Sequence, residues 1–505
     1  MSADSAGSVE RELKLGATPD LEVPDLTDVV PGVQVRELPT LDLDATYLDT
    51  PDLRLVRAGV SLRRRTGEGD PRWTLKLPAP SEGGALVRRE LDVVDAGDAV
   101  PARLAELVTG WVRSSTLGPV IVIRSHRRRL QLVDADGREL AELDDDDVTV
   151  VDGDREVGRF REIEVELAGG SSTGLLQAVG EALTAAGAGA PDPTSKVQRG
   201  LGARADAPAD LVVPTLTPAA TVAELVAAAL VEPVGVVVAT DHVLRLDDDP
   251  DGVRKVRSAL RRWRHHLSTL SSLLDADWAG PLREAPRPLL DALAEVRRTD
   301  AVTARLLRAV GALPSELRPD AVAVVGHLEA RRAERMAGVQ AAIAGPGYVG
   351  LLDQLVDAAT APRLVGDPSA PAARVAPGLV GPAWSRLHRS MRALDHHPDI
   401  TELMSVRSPA RRVQLSAALV APVVGEPAAL LARATADLGD VLAAGHQAHR
   451  AVTWLSEVAP ELPSDLRPAA TALAELQQGD IDSARHRWRD AWAVCDRSAA
   501  TGWLA

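Results

Sequence analysis

Two carboxylates and an ammonium group occupy every second position of the segment Glu10-Arg11-Glu12-Leu13-Lys14. In a β-strand successive side chains point to opposite faces, so Glu10, Glu12 and Lys14 would share one face. Such a set suits a site that holds a divalent metal ion beside a polyanion. A solvated strand face is the simpler explanation of five residues taken alone. The choice between the two therefore depends on the charges that the later strands carry.

The rest of residues 1–200 consists of short alternating segments separated by turn signals, which is typical of β-strands. The charges on these segments come in blocks of one sign. The basic blocks are Arg63/Arg65, Lys76, Arg88 and Arg124/Arg127, and the acidic blocks are Glu142/Asp144/Asp146 and Glu162/Glu164. A closed antiparallel barrel with a polar interior accounts for this pattern, because interior and exterior residues alternate along every strand.

Many basic side chains inside one barrel would repel one another unless an anion lay between them. Carboxylates beside that anion would anchor Mg²⁺ or Mn²⁺, which prefer oxygen ligands and bridge phosphate oxygens. The pattern therefore predicts metal-dependent chemistry on a chain of phosphates.

The bulk composition narrows the class of protein. A chain of 505 residues predicts two or three domains. The net charge of −15 argues against a nucleic-acid-binding surface. With the single cysteine Cys495 there can be no intrachain disulfide and no cysteine metal cluster, which fits a reducing cytoplasm. The N-terminus lacks a signal sequence, and prolines and glutamates interrupt the longest apolar run, residues 211–240. We therefore expect a cytoplasmic protein with no membrane partner.

Residues 8–200 resemble the CYTH family, the triphosphate tunnel metalloenzymes. Only four of the 57 basic residues are lysines, and three of these fall on the family's lysine positions. The matching motifs are, in chain order, Glu10-x-Glu12-x-Lys14, Tyr47-x-Asp49-Thr50, Leu62-Arg63-x-Arg65, Trp73-x-x-Lys76, Arg88-x-Glu90, the basic strand with Arg124 and Arg127, the acidic strand with Asp146, then Glu162-x-Glu164 and Ser195-Lys196.

This resemblance implies an eight-stranded antiparallel tunnel that is open at both ends. It implies catalytic roles for Glu10, Glu12 and Lys14. It implies that the substrate phosphates are bound by Arg63, Arg65, Lys76, Arg88, Arg124, Arg127 and Lys196, and that Mg²⁺ or Mn²⁺ is held by Glu10, Glu12, Asp146, Glu162 and Glu164. One ion would polarise the phosphates and a second would generate the attacking hydroxide.

A loop rich in proline and alanine separates this region from a helical one. We place a tunnel domain at residues 1–203, a linker at 204–217 and a helical domain at 218–505. The helical domain contains an internal repeat: the basic segment with Arg257, Arg261 and Arg262 is similar to a later one with Arg407, Arg411 and Arg412. The predicted fold class is therefore α+β with two domains, the second an all-α bundle of two similar halves.

The helical segments resemble the CHAD family, a domain that is named for its histidines and associated with polyphosphate. Arg254 and Met404 stand where the family has histidine, and Pro409 is expected to interrupt the second basic helix. Either the domain is an anion groove in which arginine replaces histidine, or it is a structural domain with a solvated charged face. In the first case polyphosphate would be bound by Arg254, Arg257, Arg261, Arg264, Arg407, Arg411 and Arg412. The histidines lack zinc-ligand spacing, so no zinc site is expected.

Three functions follow from these patterns. The first is metal-dependent hydrolysis of inorganic triphosphate or a triphosphorylated organic compound. The second is a polyphosphate-binding protein with little turnover, in which the helical domain directs localisation. The third is adenylate cyclase, which shares the tunnel but has no recognisable adenine pocket in this sequence. The expected ligand is a triphosphate or polyphosphate, and protein partners are not predicted.

Overall fold

The computed structural model describes residues 8–78, 86–95, 97–247 and 249–504. The chain forms two compact units that divide between Asp210 and Leu211. The first unit is a closed antiparallel barrel, as predicted. Its strands follow one another around the barrel in the order β1-β5-β4-β3-β2-β6-β7-β8. They are β1 Ser8–Ala17, β2 Gln34–Asp49, β3 Ser61–Thr66, β4 Arg72–Pro78, β5 Leu86–Val94, β6 Gly118–Val133, β7 Glu139–Asp152 and β8 Arg155–Leu167.

In the described part of this unit, the barrel is accompanied by the α-helices α1 Arg54–Arg57, α2 Ala102–Leu107, α3 Thr109–Val112, α4 Thr173–Ala185 and α5 Lys196–Leu201. The outward side chains of β1, β7 and β8, such as Leu143 and Val165, are buried against Val179 and Leu183 of α4. Burial of each such aliphatic side chain stabilises the fold by about 1.5–3 kcal/mol. Alternation therefore places aliphatic residues outside the barrel and leaves the charged faces of these strands inside.

One end of the barrel interior is apolar rather than charged. Tyr47, Ile123, Val148 and Val150 are inward-facing residues of their strands, and they form a buried cluster with Val197 of α5. Leu53 and Val56, at the start of and within α1, complete this cluster. We name the ten residues of this cluster the apolar floor: Ala45, Tyr47, Leu53, Val56, Ile121, Ile123, Val148, Val150, Val197 and Leu201. The expectation of a tunnel open at both ends is therefore wrong at this end, because α5 fills it.

Among its described residues, the second unit consists of helices joined by loops, with two isolated β-bridges. Its helices are α6 Val222–Leu246, α7 Pro250–Thr269, α8 Ala276–Glu284, α9 Arg287–Val310, α10 Arg318–Ala344, α11 Gly347–Thr360, α12 Ala372–Arg392, α13 Ile400–Val424, α14 Glu426–Val458, α15 Arg467–Cys495 and α16 Ser498–Thr501. Helix α6 has the length and composition of a membrane-spanning helix. However, 56% of its most apolar stretch is buried inside the protein, and the helix packs against α7 and α11.

The halves of the helical unit repeat with a constant offset. The side chain of Asp249 caps α7 and that of Asp399, 150 positions later, caps α13. The starts of α6 and α12 pair through reciprocal hydrogen bonds, in which Val222 N donates to Ala370 O and Ala372 N donates to Ala220 O, both at 2.9 Å. This two-way pairing is the geometry expected where two equivalent halves meet about a local twofold axis.

Pro409 does not interrupt its helix, contrary to the expectation from the sequence. Helix α13 continues from Ile400 to Val424 through this residue. Proline removes one backbone donor and crowds the preceding turn, which costs about 3 kcal/mol in an isolated helix. Here the buried face of α13, with Val406, Ala410 and Val413, packs into the unit and maintains the helical path.

Candidate active site

The barrel interior above the apolar floor is a cavity of about 360 Å³. Side chains from all eight strands and from the start of α5 line it. The basic lining residues are Lys14, Arg63, Arg65, Arg72, Lys76, Arg88, Arg127, Arg129 and Lys196; the acidic ones are Glu10, Glu12, Glu68, Glu90, Asp92, Glu139, Glu142, Asp144, Glu164 and Glu166. Nine bases thus stand against ten carboxylates, so the cavity is highly charged but nearly neutral overall.

On one wall, Lys76 bridges two carboxylates. Its Nζ lies 2.7 Å from Glu10 Oε2 and 2.7 Å from Glu90 Oε2. The register places Lys76 opposite Glu90 and Arg88 opposite Glu10, which is why the three strands β1, β5 and β4 bring these charges together. Burial, together with a hydrogen bond to Glu90, raises the pKa of Glu10 to about 9. Burial opposes ionisation of Glu90 as well, but Lys76 and Arg63 hold its pKa below the usual range.

On the opposite wall, Lys196 sits among three carboxylates. Its Nζ lies 3.0 Å from Asp146 Oδ2, 2.7 Å from Glu162 Oε1 and 2.7 Å from Glu164 Oε2. Ser195 positions this lysine, because its side chain caps α5 in a reciprocal capping box with Gln198. Burial lowers the pKa of Lys196, yet the surrounding carboxylates outweigh it and hold the pKa well above the ordinary value.

Lys14 and Arg127 extend the same network. Lys14 Nζ lies 2.7 Å from Glu164 Oε1 and 3.5 Å from Glu12 Oε1. Arg127 donates from Nε and Nη2 to the two oxygens of Asp146, each at 2.8 Å, and also pairs with Asp144. Such two-pronged arginine–carboxylate pairs fix both position and orientation.

Among the described lining residues, Oε1 of Glu12 and Oδ1 of Asp144 are buried carboxylate oxygens without a hydrogen-bond partner. Burial raises the pKa of Asp144 to about 7. An all-oxygen set with unsatisfied buried atoms is suited to a hard divalent cation. Within the described residues, however, no three acidic, histidine or cysteine side chains converge as a preformed metal site. The lysines account for this, because their ammonium groups occupy the spaces between the carboxylates.

Most of the predicted barrel residues line the cavity, but three do not. Arg124 lies on the outside, 62% exposed, with its Nε 3.0 Å from Asp44 Oδ2. It is three positions from Arg127, and residues an odd number apart point to opposite faces of a strand. Asp146 and Glu162 do face inward, but their side chains are wholly buried behind Lys196 and Arg127 and stay below the cavity surface.

Several cavity residues were missing from the predicted site. They are Tyr47, Glu68, Arg72, Glu90, Asp92, Arg129, Glu139, Glu142, Asp144 and Glu166. Strict alternation would have found Arg129 from Arg127, Arg72 from Lys76 and Glu166 from Glu164. Glu68 had no such signal, because it lies in the β3–β4 turn, where it pairs with Arg65 at 2.8 Å.

The helical unit holds a second cluster of charge. Burial and the neighbouring Arg261, Arg297 and Arg407 lower the pKa of Arg257 to about 10. Burial and the neighbouring Arg411 also lower the pKa of Arg407. We name as the arginine cluster Arg257, Arg261, Arg297, Arg407, Arg411, Arg412 and Arg450, none of which forms an ion pair with a carboxylate among the described residues.

The arginine cluster does not include the first and last of the four α7 arginines that were predicted to bind polyphosphate. Arg254 pairs with Asp251 at 2.8 Å and Arg264 with Glu284 at 3.0 Å, so both are already neutralised. Arg297 and Arg450 come from α9 and α14, and neither belongs to the set of polyphosphate-binding residues predicted above. Between α7 and α13 lies a second cavity of about 360 Å³, lined among others by the offset pairs Ser258/Ser408 and Arg261/Arg411.

Comparison with known proteins agrees with this architecture. The sequence model of the CYTH domain matches residues 8–201, and that of the CHAD domain matches residues 228–456. An uncharacterized protein of Mycobacterium tuberculosis strain H37Rv, Rv2226, is 31% identical over 446 residues, which is 82% of each chain.

Solved structures are similar at lower identity. PptA from Streptomyces chartreusis is 19% identical with a TM-score of 0.44, covering 54% of this chain and 100% of that one. The CHAD domain of the plant Ricinus communis is 17% identical with a TM-score of 0.41, covering 58% and 95%. A putative adenylate cyclase from Bacillus halodurans is 18% identical with a TM-score of 0.24, covering 33% and 95%.

A CYTH domain points to the triphosphate tunnel metalloenzymes, whose members depend on divalent metals. The barrel, the order of its motifs and the helical unit that follows all agree with the two matches. This chain therefore belongs to the proteins in which a CYTH domain is followed by a CHAD domain.

Proposed function

We propose that the barrel hydrolyses a phosphoanhydride bond of inorganic triphosphate or of a triphosphorylated organic compound, with Mg²⁺ or Mn²⁺ as cofactor. The observation that carries this proposal is the nearly neutral cavity, in which nine bases face ten carboxylates. A phosphate chain would add several negative charges to this enclosed space, where interactions between charges are stronger than in water. Its entry is favoured only if cations accompany it and occupy the carboxylates.

The basic residues supply the phosphate ligands in this proposal. Arg63 and Arg65 point into the cavity from one strand, and a guanidinium can bind two phosphate oxygens at once. Lys76 and Lys14 can transfer their hydrogen bonds from carboxylates to phosphate oxygens without leaving the cavity, because their stems are anchored in the barrel wall.

The carboxylates that those lysines release are the metal ligands that we propose. Glu10 and Glu164 would then join Glu12, whose Oε1 has no hydrogen-bond partner, as oxygen ligands. A bound ion supplies Lewis-acid polarisation of a phosphoryl oxygen and lowers the pKa of a coordinated water. Asp144 faces the same space with Oδ1 unsatisfied, and so is placed to orient a water molecule. Asp146 and Glu162 hold Lys196 and Arg127 in position instead.

The direct test is phosphate release by the purified full-length protein. Tripolyphosphate, ATP, thiamine triphosphate and long-chain polyphosphate are each incubated with Mg²⁺ or Mn²⁺, and with EDTA as the matched control. We expect metal-dependent release from at least one substrate of three phosphates. If no substrate yields phosphate with either metal, hydrolysis is not the function of the barrel.

We propose in addition that the helical unit binds polyphosphate. The supporting observation is the arginine cluster, because mutually repelling guanidinium groups without carboxylate partners favour an anion between them. The measurement is binding of long-chain polyphosphate to the full chain at increasing salt, compared with the Arg257→Gln/Arg407→Gln/Arg411→Gln variant. Equal affinity of the two proteins for polyphosphate would contradict this proposal and favour a structural domain with a charged face.

No observation favours the adenylate cyclase alternative. Tyr47 is the single aromatic residue in the described lining of the barrel cavity, and its hydroxyl accepts a hydrogen bond from Arg63 Nη1 at 3.3 Å. A cytoplasmic location stays an expectation from the cysteine content.

A further inference from the structure

One histidine lies among the arginines of the cavity between α7 and α13. The ring of His265, on α7, lines this cavity together with basic side chains from three helices, namely Arg261 and Arg264 of α7, Arg283 of α8, and Arg411 and Arg412 of α13. Glu284 is the single carboxylate residue among the described lining residues. Both of its oxygens accept hydrogen bonds from Arg264 Nη2, at 3.1 and 3.0 Å. The histidine is therefore surrounded by positive charge, and the one nearby carboxylate is already paired.

Two hydroxyl groups fix the position of this ring. Nε2 of His265 lies 3.0 Å from Oγ of Ser416 and 3.1 Å from Oγ1 of Thr269, and the two hydroxyl oxygens lie 3.1 Å apart. A hydroxyl can donate a hydrogen bond or accept one. The same pocket therefore accommodates a neutral ring, whose Nε2 accepts, and a protonated ring, whose Nε2 donates. Protonation of His265 requires only that these hydroxyls turn, with no movement of α7 or α13.

The surrounding charges oppose that protonation in the free protein. Burial, the neighbouring His266 and the guanidinium groups of Arg412, Arg411 and Arg261 lower the pKa of His265 to about 3. Helix α6 also packs against α7, but it offers no relief. Its Glu232 pairs with Arg262 at 2.7 Å, and its Ala229 O bonds to the ring of His266. The ring of His265 is therefore neutral at physiological pH.

An anion between the guanidinium groups would reverse this balance, because a nearby negative charge favours the protonated form of a histidine. Arginine keeps its proton throughout, so the histidine is the group in this cavity that can respond near neutral pH. We infer that the helical unit takes up a proton at His265 when it binds polyphosphate, so that acidification strengthens the binding and alkalinisation releases the polymer. This inference rests on the polyphosphate binding proposed for the helical unit and adds its regulation.

The size of the effect follows from linkage between the proton and the polymer. The complex binds more protons than the free protein does, so the affinity rises as the pH falls. If the bound anion restores His265 to the ordinary histidine pKa of about 6.5, the affinity at pH 6 is about four times that at pH 8. At pH 6 each binding event then takes up about three quarters of a proton at this residue.

The test is calorimetric titration of the full-length protein with long-chain polyphosphate at pH 6 and pH 8. Each titration is run in two buffers of different ionisation enthalpy, which gives the number of protons taken up, and with EDTA so that no metal-dependent hydrolysis occurs. Long chains are used because their internal phosphates are strong acids and stay ionised over this range. We expect tighter binding and proton uptake at pH 6.

The informative variant is His265→Gln, which keeps a polar side chain beside Ser416 and Thr269 but cannot titrate. Its proton uptake at pH 6 should be lower than that of the natural protein by about three quarters of a proton, and its affinity should depend less on pH. His327→Gln is the matched control. His327 is an exposed histidine of α10 whose Nδ1 lies 3.0 Å from Ala323 O, and its loss should leave the uptake unchanged. Circular dichroism checks the fold of both variants.

The possible failures can be told apart. Polyphosphate binding without proton uptake by the natural protein would overturn the inference and leave the proposed function standing, as would equal uptake by the natural protein and His265→Gln. No binding at either pH would overturn both. If His265→Gln does not fold, His265→Asn provides the same comparison, and the uptake by the natural protein remains decisive against the inference if it is zero.

Discussion

The barrel and the helical unit both gather basic residues, but they treat those residues in opposite ways. In the barrel, Lys76, Lys196 and Arg127 each lie within hydrogen-bond distance of carboxylates. In the helical unit, Arg257, Arg407 and the rest of the arginine cluster face one another instead. The barrel cavity is thus charge-balanced before a ligand arrives, whereas the arginine cluster carries a local excess of positive charge.

This difference separates two ways of holding phosphate. A balanced cavity exchanges internal ion pairs for a metal–phosphate complex, so its occupancy requires a cation and a precise geometry. An unbalanced cluster attracts any polyanion over a longer range, and salt weakens the attraction because exposed charges are screened beyond about 8 Å at physiological ionic strength. The first arrangement is suited to chemistry and the second to capture.

The largest expected effect comes from Glu12→Gln in the barrel. This change keeps the shape of the side chain but removes the charge beside Lys14, so metal-dependent turnover should fall about 100-fold or more. Steady-state phosphate release with Mn²⁺ measures it, and circular dichroism checks the fold. Asp44→Asn, on the barrel exterior, is the matched control and should keep full activity. Full activity of Glu12→Gln would show that β1 forms part of the cavity wall but has no catalytic role.

The next effect is on stability and tests which face each arginine occupies. Arg127→Gln leaves the buried Asp146 without its two-pronged partner and should cost about 3 kcal/mol. Arg124→Gln removes only an exposed pair with Asp44 and should cost less than about 1 kcal/mol. Denaturant unfolding of the two variants, followed by tryptophan fluorescence, measures both. Similar losses would mean that the barrel interior does not depend on its internal ion pairs.

The two units should also respond to pH in opposite directions. Burial lowers the pKa of His266 to about 4, so between about 6.5 and 4 the unfolded chain binds more protons and acidification destabilises the helical unit, by about 3 kcal/mol from this residue. Burial raises the pKa of Glu166 to about 7. The folded barrel therefore holds the extra proton, and raising the pH from about 4.5 through 7 destabilises it.

Calorimetric scans of the metal-free protein at pH 5 and pH 8 can separate these trends. We expect the transition of the barrel to move down at pH 8 and that of the helical unit to move down at pH 5. His266→Gln should remove part of the acid sensitivity of the helical unit, because burial also lowers the pKa of His265 to about 3 and that of His446 to about 4. Two transitions that move together would contradict the contrast between the units.

The smallest expected effect has the opposite sign from that of Arg127→Gln. In the Arg257→Gln/Arg407→Gln/Arg411→Gln variant, repulsion within the arginine cluster is relieved, so the helical unit should gain about 1 kcal/mol while its polyphosphate affinity falls. Thermal unfolding with and without polyphosphate measures both quantities. A destabilised variant would show that these arginines are structural, and would remove the distinction between the two units.

Strand alternation carried most of the barrel prediction, and its limits are physical. It placed Glu10, Glu12, Lys14, Arg63 and Lys76 correctly inside, because a two-residue period leaves no choice of face. The same period excludes Arg124, which was grouped with Arg127 in one basic block although an odd number of positions separates them. Depth along the barrel has no period at all, so nothing in the sequence separated the buried Glu162 from the accessible Glu164.

The helical cluster and the closed end were harder to foresee. Arg297 and Arg450 belong to helices that are distant in sequence from Arg257, and only packing brings them together. Val197 follows the family's Ser-Lys motif as an ordinary aliphatic residue, and its place inside the barrel depends on the path of the chain after β8. Both features are long-range, and local patterns do not report them.

The reciprocal hydrogen bonds between the starts of α6 and α12 can form only late in synthesis of the chain. Helix α6 is the most apolar helix of the unit and emerges from the ribosome about 150 residues before Ala370 and Ala372 can pair with it. At translation rates of about 5–20 residues per second, this interval lasts on the order of ten seconds. During that time α7 and α11 can already pack against α6, so only the part of its surface that meets α12 stays exposed and available to a chaperone.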